Sequence, residues 1–265
     1  MTLALRLRKF PFLQRSVVAI AMATLSAGAS AALPQFTFVP GGAALNGASF
    51  TGDNILISDY SAVTFGPGGT FSEIGYLAVS AIQLGGVTFT PAGLNSDYGM
   101  YIAFSGTGTT TVANPATTPT FGTFSTLTYT LYGYNGTASF GFAGNTPTET
   151  ATGEVALASG SLISGSVSTI PAGGGEFTPS ANAKVNFSLL SPAFFGAPHP
   201  FYNMALTSFT NTTSEVEAFD GGFRIRQGGG SLNFAVSPVP EPASYAMLFG
   251  GLAAIGFVSR RRRQD

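Results

Sequence analysis

The 265-residue chain contains no cysteine and no tryptophan, and it has a single histidine. Without cysteine there is no disulfide, no thiol nucleophile and no thiolate ligand for a metal. His199 lies between Pro198 and Pro200, and any histidine-dependent triad or metal site would have to use it. Neither a G-x-S-x-G elbow nor an H-E-x-x-H motif occurs. We therefore expect no catalytic residues, no metal and no cofactor, with His199 in an exposed loop.

Charge is also scarce, since charged residues make up only 9% of the chain. Most cations are at the two ends. Between Ala32 and Pro238 only three residues are basic (Lys184, Arg224 and Arg226) and ten are acidic, which gives this region a net charge of −7. An acidic body with so few cations is a poor partner for nucleic acid, because affinity for phosphates depends on Lys and Arg. We expect no nucleic-acid binding, and a fold that depends on its hydrophobic core.

The N-terminus has the three parts of a Sec signal peptide, which we assign to residues 1–31. A basic segment precedes an apolar run from Val17 to Leu25, and the small residues Ala29 and Ala31 fit a signal-peptidase site. Cleavage after Ala31 is our first choice and cleavage after Ala29 the alternative. The predicted partners at this end are the Sec translocon and signal peptidase.

The C-terminal segment, residues 239–265, contains three different zones side by side. Val239-Pro240-Glu241-Pro242 is a stiff, helix-resistant peptide, because each proline fixes its own φ and biases the preceding residue toward extended conformations. Ala243 to Val258 carries no charge, and as a helix it would be about 24 Å long. The arginines Arg260, Arg261, Arg262 and Arg263 then stop the apolar run on the cytoplasmic side of a membrane.

This arrangement resembles the PEP-CTERM sorting signal of Gram-negative bacteria that make extracellular polysaccharide. Many members carry Trp where Tyr245 stands here. The resemblance implies a membrane-anchored precursor with a C-terminal transmembrane helix. It also implies an exosortase that cuts near the proline motif and passes the protein to the cell surface or extracellular matrix. An ordinary C-terminal membrane anchor is the alternative.

The body, residues 32–238, shows β signals throughout and no helical periodicity. Thr126–Tyr132 alternates apolar and polar residues, as a half-buried strand does. The other predicted strands are Asn54–Ser58, Gly75–Ile82, Gly86–Thr90, Gly99–Ser105, Thr137–Phe142, Glu154–Ala158, Ser161–Val167, Lys184–Leu189, Met204–Phe209, Phe223–Arg226 and Ser231–Val236. Many short strands separated by Gly, Pro and Asn turns predict an all-β, antiparallel sandwich of jelly-roll type.

Three segments of the body read as turns or loops. Asn135-Gly136 is the strongest hairpin signal and should join Thr126–Tyr132 to Thr137–Phe142. Pro171 to Gly175 fits a long turn within one domain, with a linker between subdomains as the alternative. Ser191 to Tyr202 contains three prolines and should not form a regular element throughout.

Candidate sites in the body are weak. Glu215 and Glu217 would share one face of a strand near Asp220, a spacing compatible with paired carboxylates but more typical of a solvated edge. Asp53-Asn54, Asp59 and Asn95-Ser96-Asp97 could supply oxygen ligands for Ca²⁺, although turn formation explains such residues better. Tyrosines that could form a flat sugar-binding platform, or simply pack, are Tyr98, Tyr101, Tyr129, Tyr132, Tyr134 and Tyr202.

The first half of the body is similar to flocculation-associated PEP-CTERM proteins, at Phe50–Tyr60, Glu73–Leu77 and Gly93–Tyr98. That resemblance implies a surface or matrix protein that supports floc or biofilm formation with extracellular polysaccharide, and it brings no catalytic residues. The alternatives are a polysaccharide-binding or polysaccharide-degrading protein and a plain membrane-anchored periplasmic protein. A buried carboxylate pair in an open groove would favour the degrading enzyme.

Overall fold

A computed structural model of the chain describes residues 33–111 and 115–235, and these residues form a β-structure. The predicted signal peptide with Ala29 and Ala31, and the predicted sorting segment 239–265 with its transmembrane helix, lie outside the described residues. The strands are β1 Phe36–Phe38, β2 Phe50–Gly52, β3 Asn54–Phe65, β4 Thr70–Leu84, β5 Val87–Phe89, β6 Tyr98–Thr110, β7 Thr120–Asn135, β8 Phe140–Ala143, β9 Thr146–Glu149, β10 Val155–Gly173, β11 Glu176–Asn186, β12 Ser188–Leu189, β13 Phe195–Ala197, β14 Met204–Thr210, β15 Val216–Phe219 and β16 Gly222–Ala235.

Eight long strands among the described residues close into one antiparallel barrel. The order around the ring is β3, β4, β6, β7, β10, β11, β14 and β16, so each strand pairs with its neighbours in this series. The first and last then pair with each other, with Ser61 of β3 opposite Ile225 of β16. The short strands β5, β12 and β15 each extend one wall at its end.

The prediction of an all-β antiparallel body is confirmed, but the connectivity differs from a jelly roll. A jelly roll places strands that are distant in sequence side by side, whereas neighbouring barrel strands here follow one another along the chain. Closure also removes the unpaired edges that two separate sheets would expose. Alternation within one strand predicts which of its residues face the core. It does not predict which other strands pair with it.

Two pairs of predicted strands are each one continuous strand, because the glycines between them do not form turns. Glu154–Ala158, apart from Glu154, and Ser161–Val167 are both parts of β10, which continues through Gly160. Phe223–Arg226 and Ser231–Val236 are likewise parts of β16, apart from the undescribed Val236. A Cβ at Gly230 would lie 2.3 Å from the Phe209 ring. Such glycines lie where a neighbouring aromatic side chain covers the strand, an arrangement that strengthens β-sheets.

The predicted hairpin at Asn135-Gly136 is wrong in its partners. Gly136 does adopt a positive φ of 83°, as a turn requires. However, β7 pairs with β6 and β10, and β8 pairs with β9 instead. The Asn135 side chain is held elsewhere: its Oδ1 accepts from the backbone N–H of Asn46 at 2.7 Å, and its Nδ2 donates to the carbonyl of Ala44 at 3.0 Å.

The other two turn predictions agree with the structure. Gly173, Gly174 and Gly175 all have positive φ and connect β10 to β11 as a tight hairpin, so this segment is a turn and not a linker. The proline-rich segment from Ser191 to Tyr202 contains one 3₁₀ turn at Pro192–Phe194 and the three-residue strand β13, and is otherwise irregular.

One end of the barrel is closed by a cluster of phenylalanines. The small sheet β13–β1–β2 lies at this end, and Phe38 at its centre is fully buried. Its ring centroid lies 4.7–6.2 Å from those of six other phenylalanines: Phe36, Phe50, Phe194, Phe195, Phe201 and Phe234. Most of these contacts are edge-on or tilted, as ring quadrupoles favour. This cluster fills one end of the barrel with apolar side chains. Polar side chains inside the barrel are found in its middle part.

Candidate functional site

Two carboxylates point into the barrel from neighbouring strands. On β3 the alternating inward positions run through Ile55, Ile57, Asp59 and Ser61, so the alternation carries Asp59 inside. On β4 the inward set includes Glu73, opposite Val63 of β3. Asp59 is only 3% exposed and Glu73 8% exposed. The two acids therefore share one interior surface.

Ser61 and Gly75 lie opposite each other between the two acids. A Cβ at Gly75 would lie 2.6 Å from the Ser61 Cβ, so glycine is needed there. The space lets the small Ser61 hydroxyl lie beside both carboxyls. The Ser61 Oγ makes no hydrogen bond with either carboxyl.

Asn211, which directly follows β14, is the fourth residue of this polar group. It is 2% exposed, and a Cβ at Gly228 would lie 2.0 Å from its Oδ1. Gly228 is the partner of Asp59 across β16 and β3, so the missing side chain makes room for the amide beside that acid. The Asn211 Oδ1, the Asp59 Oδ1 and the Ser61 Oγ are buried without a hydrogen-bond partner. We call Asp59, Ser61, Glu73 and Asn211 the interior polar cluster.

Burial changes the protonation of both acids in the cluster. Desolvation raises the pKa of Glu73 to about 7, because a carboxylate loses hydration inside the barrel. The pKa of Asp59 is raised well above its usual value by desolvation first and then by the negative charges of Glu73 and Glu215. The Ser61 hydroxyl opposes the rise in both acids. At neutral pH the pair thus holds at least part of a proton that exposed acids would release.

The cluster borders a cavity of about 90 Å³ in the middle of the barrel. Asp59, Glu73 and Asn211 line it on one side, from β3, β4 and the end of β14. The opposite wall, from β6, β7 and β10, is formed by Ile102, Phe104, Phe124, Leu127 and Val167. Hydroxyls from other strands also line the cavity, but each already makes a hydrogen bond within the protein; they belong to Thr110, Thr120, Tyr129, Ser168, Thr169, Ser180 and Thr207. The cavity is therefore amphipathic, and its unpartnered carboxylate and amide oxygens lie on one wall only.

The acids proposed from sequence do not form a site. Glu215 ends a 3₁₀ turn, where its Oε2 accepts from the backbone N–H of Thr212 at 2.6 Å. Glu217 lies on β15 and binds both Arg224 and Arg226, and the hydrogen bond from Arg224 is the main reason for its lowered pKa. The expectation of one shared strand face is wrong, because Glu215 belongs to the 3₁₀ turn that precedes the strand of Glu217. Asp220 is exposed near the following turn.

Turn formation explains most of the proposed Ca²⁺ ligands. The Asp53 Oδ2 accepts from the backbone N–H of Gly85 at 2.6 Å, and Asn95 adopts a positive φ of 65° in a turn. Asn54 and Asp59 are the exceptions, since both lie in β3; the Asn54 Nδ2 donates to the Gln83 Oε1 at 2.7 Å. No group of three or more His, Asp or Glu side chains among the described residues could hold a metal ion. His199 is exposed in an irregular segment, as expected.

Most of the tyrosines proposed as a sugar platform are packed inside the protein. Tyr98, Tyr101, Tyr129 and Tyr134 are each less than 9% exposed, and burial raises the pKa of Tyr98 to about 12. The outer face of β3, β4 and β7 does carry the half-exposed side chains of Tyr60, Tyr76 and Tyr132, with Phe140 of β8 beside them. The Phe140 ring stacks on Tyr60 at 5.8 Å and lies 6.3 Å from Tyr76.

The interior pair was missed by sequence reasoning, although a signal for it exists. Asp59 continues the alternation of Ile55 and Ile57, and Glu73 continues that of Phe71 and Leu77. An acid at a core position of an alternating strand is a rare placement and marks either a partner or a ligand. The partnership of β3 and β4 was required to see that both acids meet.

Comparison with known families concerns the C-terminal segment. Residues 238–263 match the family described as the PEP-CTERM protein-sorting motif. This chain carries a PEP-CTERM sorting signal. The matched range includes the predicted sorting residues Val239, Pro240, Glu241 and Pro242 and the four arginines from Arg260 to Arg263. No curated protein and no solved structure matches the chain.

The PEP-CTERM motif implies export, a membrane-anchored precursor and processing by an exosortase. Among residues 33–111 and 115–235, no helix has the length and apolar character to cross a membrane. The predicted span from Ala243 to Val258 falls in the sorting segment, outside the described residues.

Proposed function

We propose that this PEP-CTERM protein is exported through the Sec translocon, processed by exosortase and retained at the cell surface or in the extracellular matrix. There it supports floc or biofilm formation together with extracellular polysaccharide. The observation that carries the proposal is the sorting motif at residues 238–263. The predicted signal peptide at the opposite end is consistent with it, because an exosortase substrate must first enter the export pathway.

Three features of the barrel support a matrix role and not a catalytic one. The body is acidic, and the barrel formed by the described residues is closed, so its eight long strands present no long unpaired edge that would make the exported protein aggregate with itself. Half-exposed Tyr60, Tyr76 and Tyr132, packed with Phe140, form an aromatic patch of the kind that contacts sugar rings. This aromatic patch is the part of the barrel that we assign to polysaccharide.

The acid pair does not favour a polysaccharide-degrading enzyme. Glycoside hydrolysis needs two carboxyls on either side of a glycosidic bond. Asp59 and Glu73 instead lie inside an eight-stranded barrel plugged by phenylalanines at one end. The interior of such a barrel admits side chains or one small ligand, and not a polymer chain. We therefore propose that the protein has no enzymatic activity.

The test replaces Pro240, Glu241 and Pro242 together by alanine in a host with active exosortase. The expected result is accumulation of the unprocessed precursor, seen with an antibody against the barrel, and loss of flocs or biofilm cohesion. Ser237→Ala, just before the matched residues, is the control and should be processed normally. Normal processing of the triple variant would contradict the sorting assignment. Blocked processing with full cohesion would instead contradict the matrix role and leave sorting intact.

A further inference from the structure

Two buried acceptors in the barrel interior make no hydrogen bond. The Asp59 Oδ1 and the Asn211 Oδ1 are both buried, both unpartnered and both in residues that line the interior cavity. A buried polar atom without a partner costs about 1–3 kcal/mol, and more when it is charged. Such atoms are rare in native proteins and usually mark a missing water, ion or ligand. Here they converge on the same cavity as Glu73.

None of the protein's described cations reaches this cavity. Lys184 is on the outer face of β11, between the inward-facing Ala183 and Val185. Arg224 and Arg226 form salt bridges with Glu217, and His199 is exposed. None of these four residues is among those lining the cavity. The negative potential of Asp59, Glu73 and Glu215 is thus left without a positive partner from the described residues.

The distribution of the acceptors indicates the kind of ligand. The unpartnered oxygens of Asp59 and Asn211, and the carboxyl of Glu73, occupy the wall formed by β3, β4 and the end of β14. The facing wall carries apolar side chains and hydroxyls that already make hydrogen bonds. A hard metal ion takes six or more oxygen ligands distributed around it. A primary ammonium group needs acceptors only on the side of its three N–H donors, and its carbon chain is best placed against apolar side chains.

We propose that the barrel interior binds a small primary ammonium compound, with its N–H donors on Asp59, Glu73 and Asn211 and its alkyl part against Phe104 and Leu127. The cavity of about 90 Å³ limits the ligand to about three to five heavy atoms, since a dry cavity of about 150 Å³ is needed for benzene. The absence of a side chain at Gly75 and Gly228 leaves room for Ser61 and the Asn211 amide in the polar cluster, because a Cβ at either position would clash with them. This site is independent of the proposed matrix role.

The test uses ethylammonium chloride as the probe and the full chain purified in detergent. Saturation-transfer NMR at pH 8 should show transfer to the ethyl protons of the probe. Asp59→Asn and Glu73→Gln should each weaken the affinity at least tenfold, while Glu176→Gln, an exposed acid in the β10–β11 hairpin, should leave it unchanged. Circular dichroism of each variant checks that the barrel is folded; both replacements keep the side-chain shape and remove a buried charge.

Two further probes and one pH comparison distinguish the ammonium site from its rivals. Ethanol has nearly the same size but no charge, so equal binding of ethanol would overturn the proposal. Ca²⁺ should not compete with ethylammonium, and displacement of the probe by Ca²⁺ would assign the acids to a metal instead. Affinity for ethylammonium should be at least tenfold higher at pH 8 than at pH 5, because the ammonium group needs ionised carboxylates. An affinity that does not change with pH would exclude the two acids as its partners.

Discussion

At the scale of single residues, the most unusual feature is a pair of acids buried together, with no cation from residues 33–111 or 115–235 beside them. Each would be better hydrated outside the barrel, and their charges repel. Burial raises the pKa values of both acids, so that bound protons neutralise them in the absence of a counter-ion from the described residues. The stability of the ligand-free protein should therefore depend on pH in the opposite direction from that of a protein held by salt bridges.

Glu73 makes this dependence measurable. Its pKa rises from 4.5 in the unfolded chain to about 7 in the fold, so the folded state holds more protons between these values. The contribution of Glu73 to the free energy of unfolding should be full at pH 4.5 and below. It should fall, by up to a few kcal/mol, as the pH rises to about 7. Asp59, whose pKa is also raised, acts in the same direction, and Glu215 strengthens its effect.

Urea midpoints of the full chain in detergent at pH 5 and pH 8 check this expectation. Glu73→Gln should raise the midpoint at pH 8 and flatten the difference between the two values. Glu176→Gln, an exposed acid, should behave like the parent protein. A parent protein more stable at pH 8 than at pH 5 would show that the acids are not held protonated.

At the scale of elements, glycine lengthens strands in this protein where it normally ends them. Gly160 continues β10 because its missing side chain leaves room for Tyr129, whose hydroxyl donates to the Asn186 carbonyl at 2.8 Å. The Asn186 Oδ1 in turn accepts from the backbone N–H of Ser161 at 2.7 Å. Three strands of the barrel, β7, β10 and β11, are thus joined at one glycine.

Gly160→Ala should destabilise the fold by about 1–3 kcal/mol, the usual cost of overpacking. The new Cβ would lie 2.0 Å from the Asn186 carbonyl oxygen and 2.6 Å from the Tyr129 ring, and the carbonyl belongs to the backbone and cannot rotate away. Gly141→Ala in β8 is the matched control, since no atom lies within 4 Å of its Cβ position. Thermal unfolding compares the two, and equal melting temperatures would mean that β10 does not pass Gly160 in this way.

At the scale of the whole molecule, closure distinguishes the barrel from the sandwich that the sequence suggests. In a sandwich the outermost strands have one unpaired side, whereas here β3 pairs with β16 and β10 with β11. Every one of the eight strands is therefore bonded on both sides over part of its length. Within the barrel sheet of the described residues, only the short strands β5, β12 and β15 pair with a single neighbour.

Amide hydrogen exchange on the full chain in detergent tests closure directly. Amides of β3 that face β16, and amides of β10 that face β11, should be protected as strongly as those between β6 and β7, because all open only with the barrel. Amides of β5, which pairs with β4 alone, serve as the fast-exchanging reference. Rapid exchange along the β3–β16 line would indicate an open sheet.

Much about this protein follows from its sequence alone, because the information is local. The sorting segment is recognisable from a proline pair, an uncharged run and four arginines that are continuous in the chain. The alternation in Thr126–Tyr132 predicts a strand, since side chains on a strand alternate between two faces whatever the strand pairs with. The turn at Gly173 to Gly175 follows from the preference of glycine for positive φ.

Only the tertiary structure decided which strands are neighbours, and the interior site depends on that choice. Asp59 and Glu73 are fourteen residues apart, and Asn211 is far from both in the chain. They meet because β3 pairs with β4 on one side and with β16 on the other, where Gly228 leaves space for the amide. Pairing is a property of the closed sheet, and the energies that select it are summed over all eight strands, so no single stretch of sequence contains it.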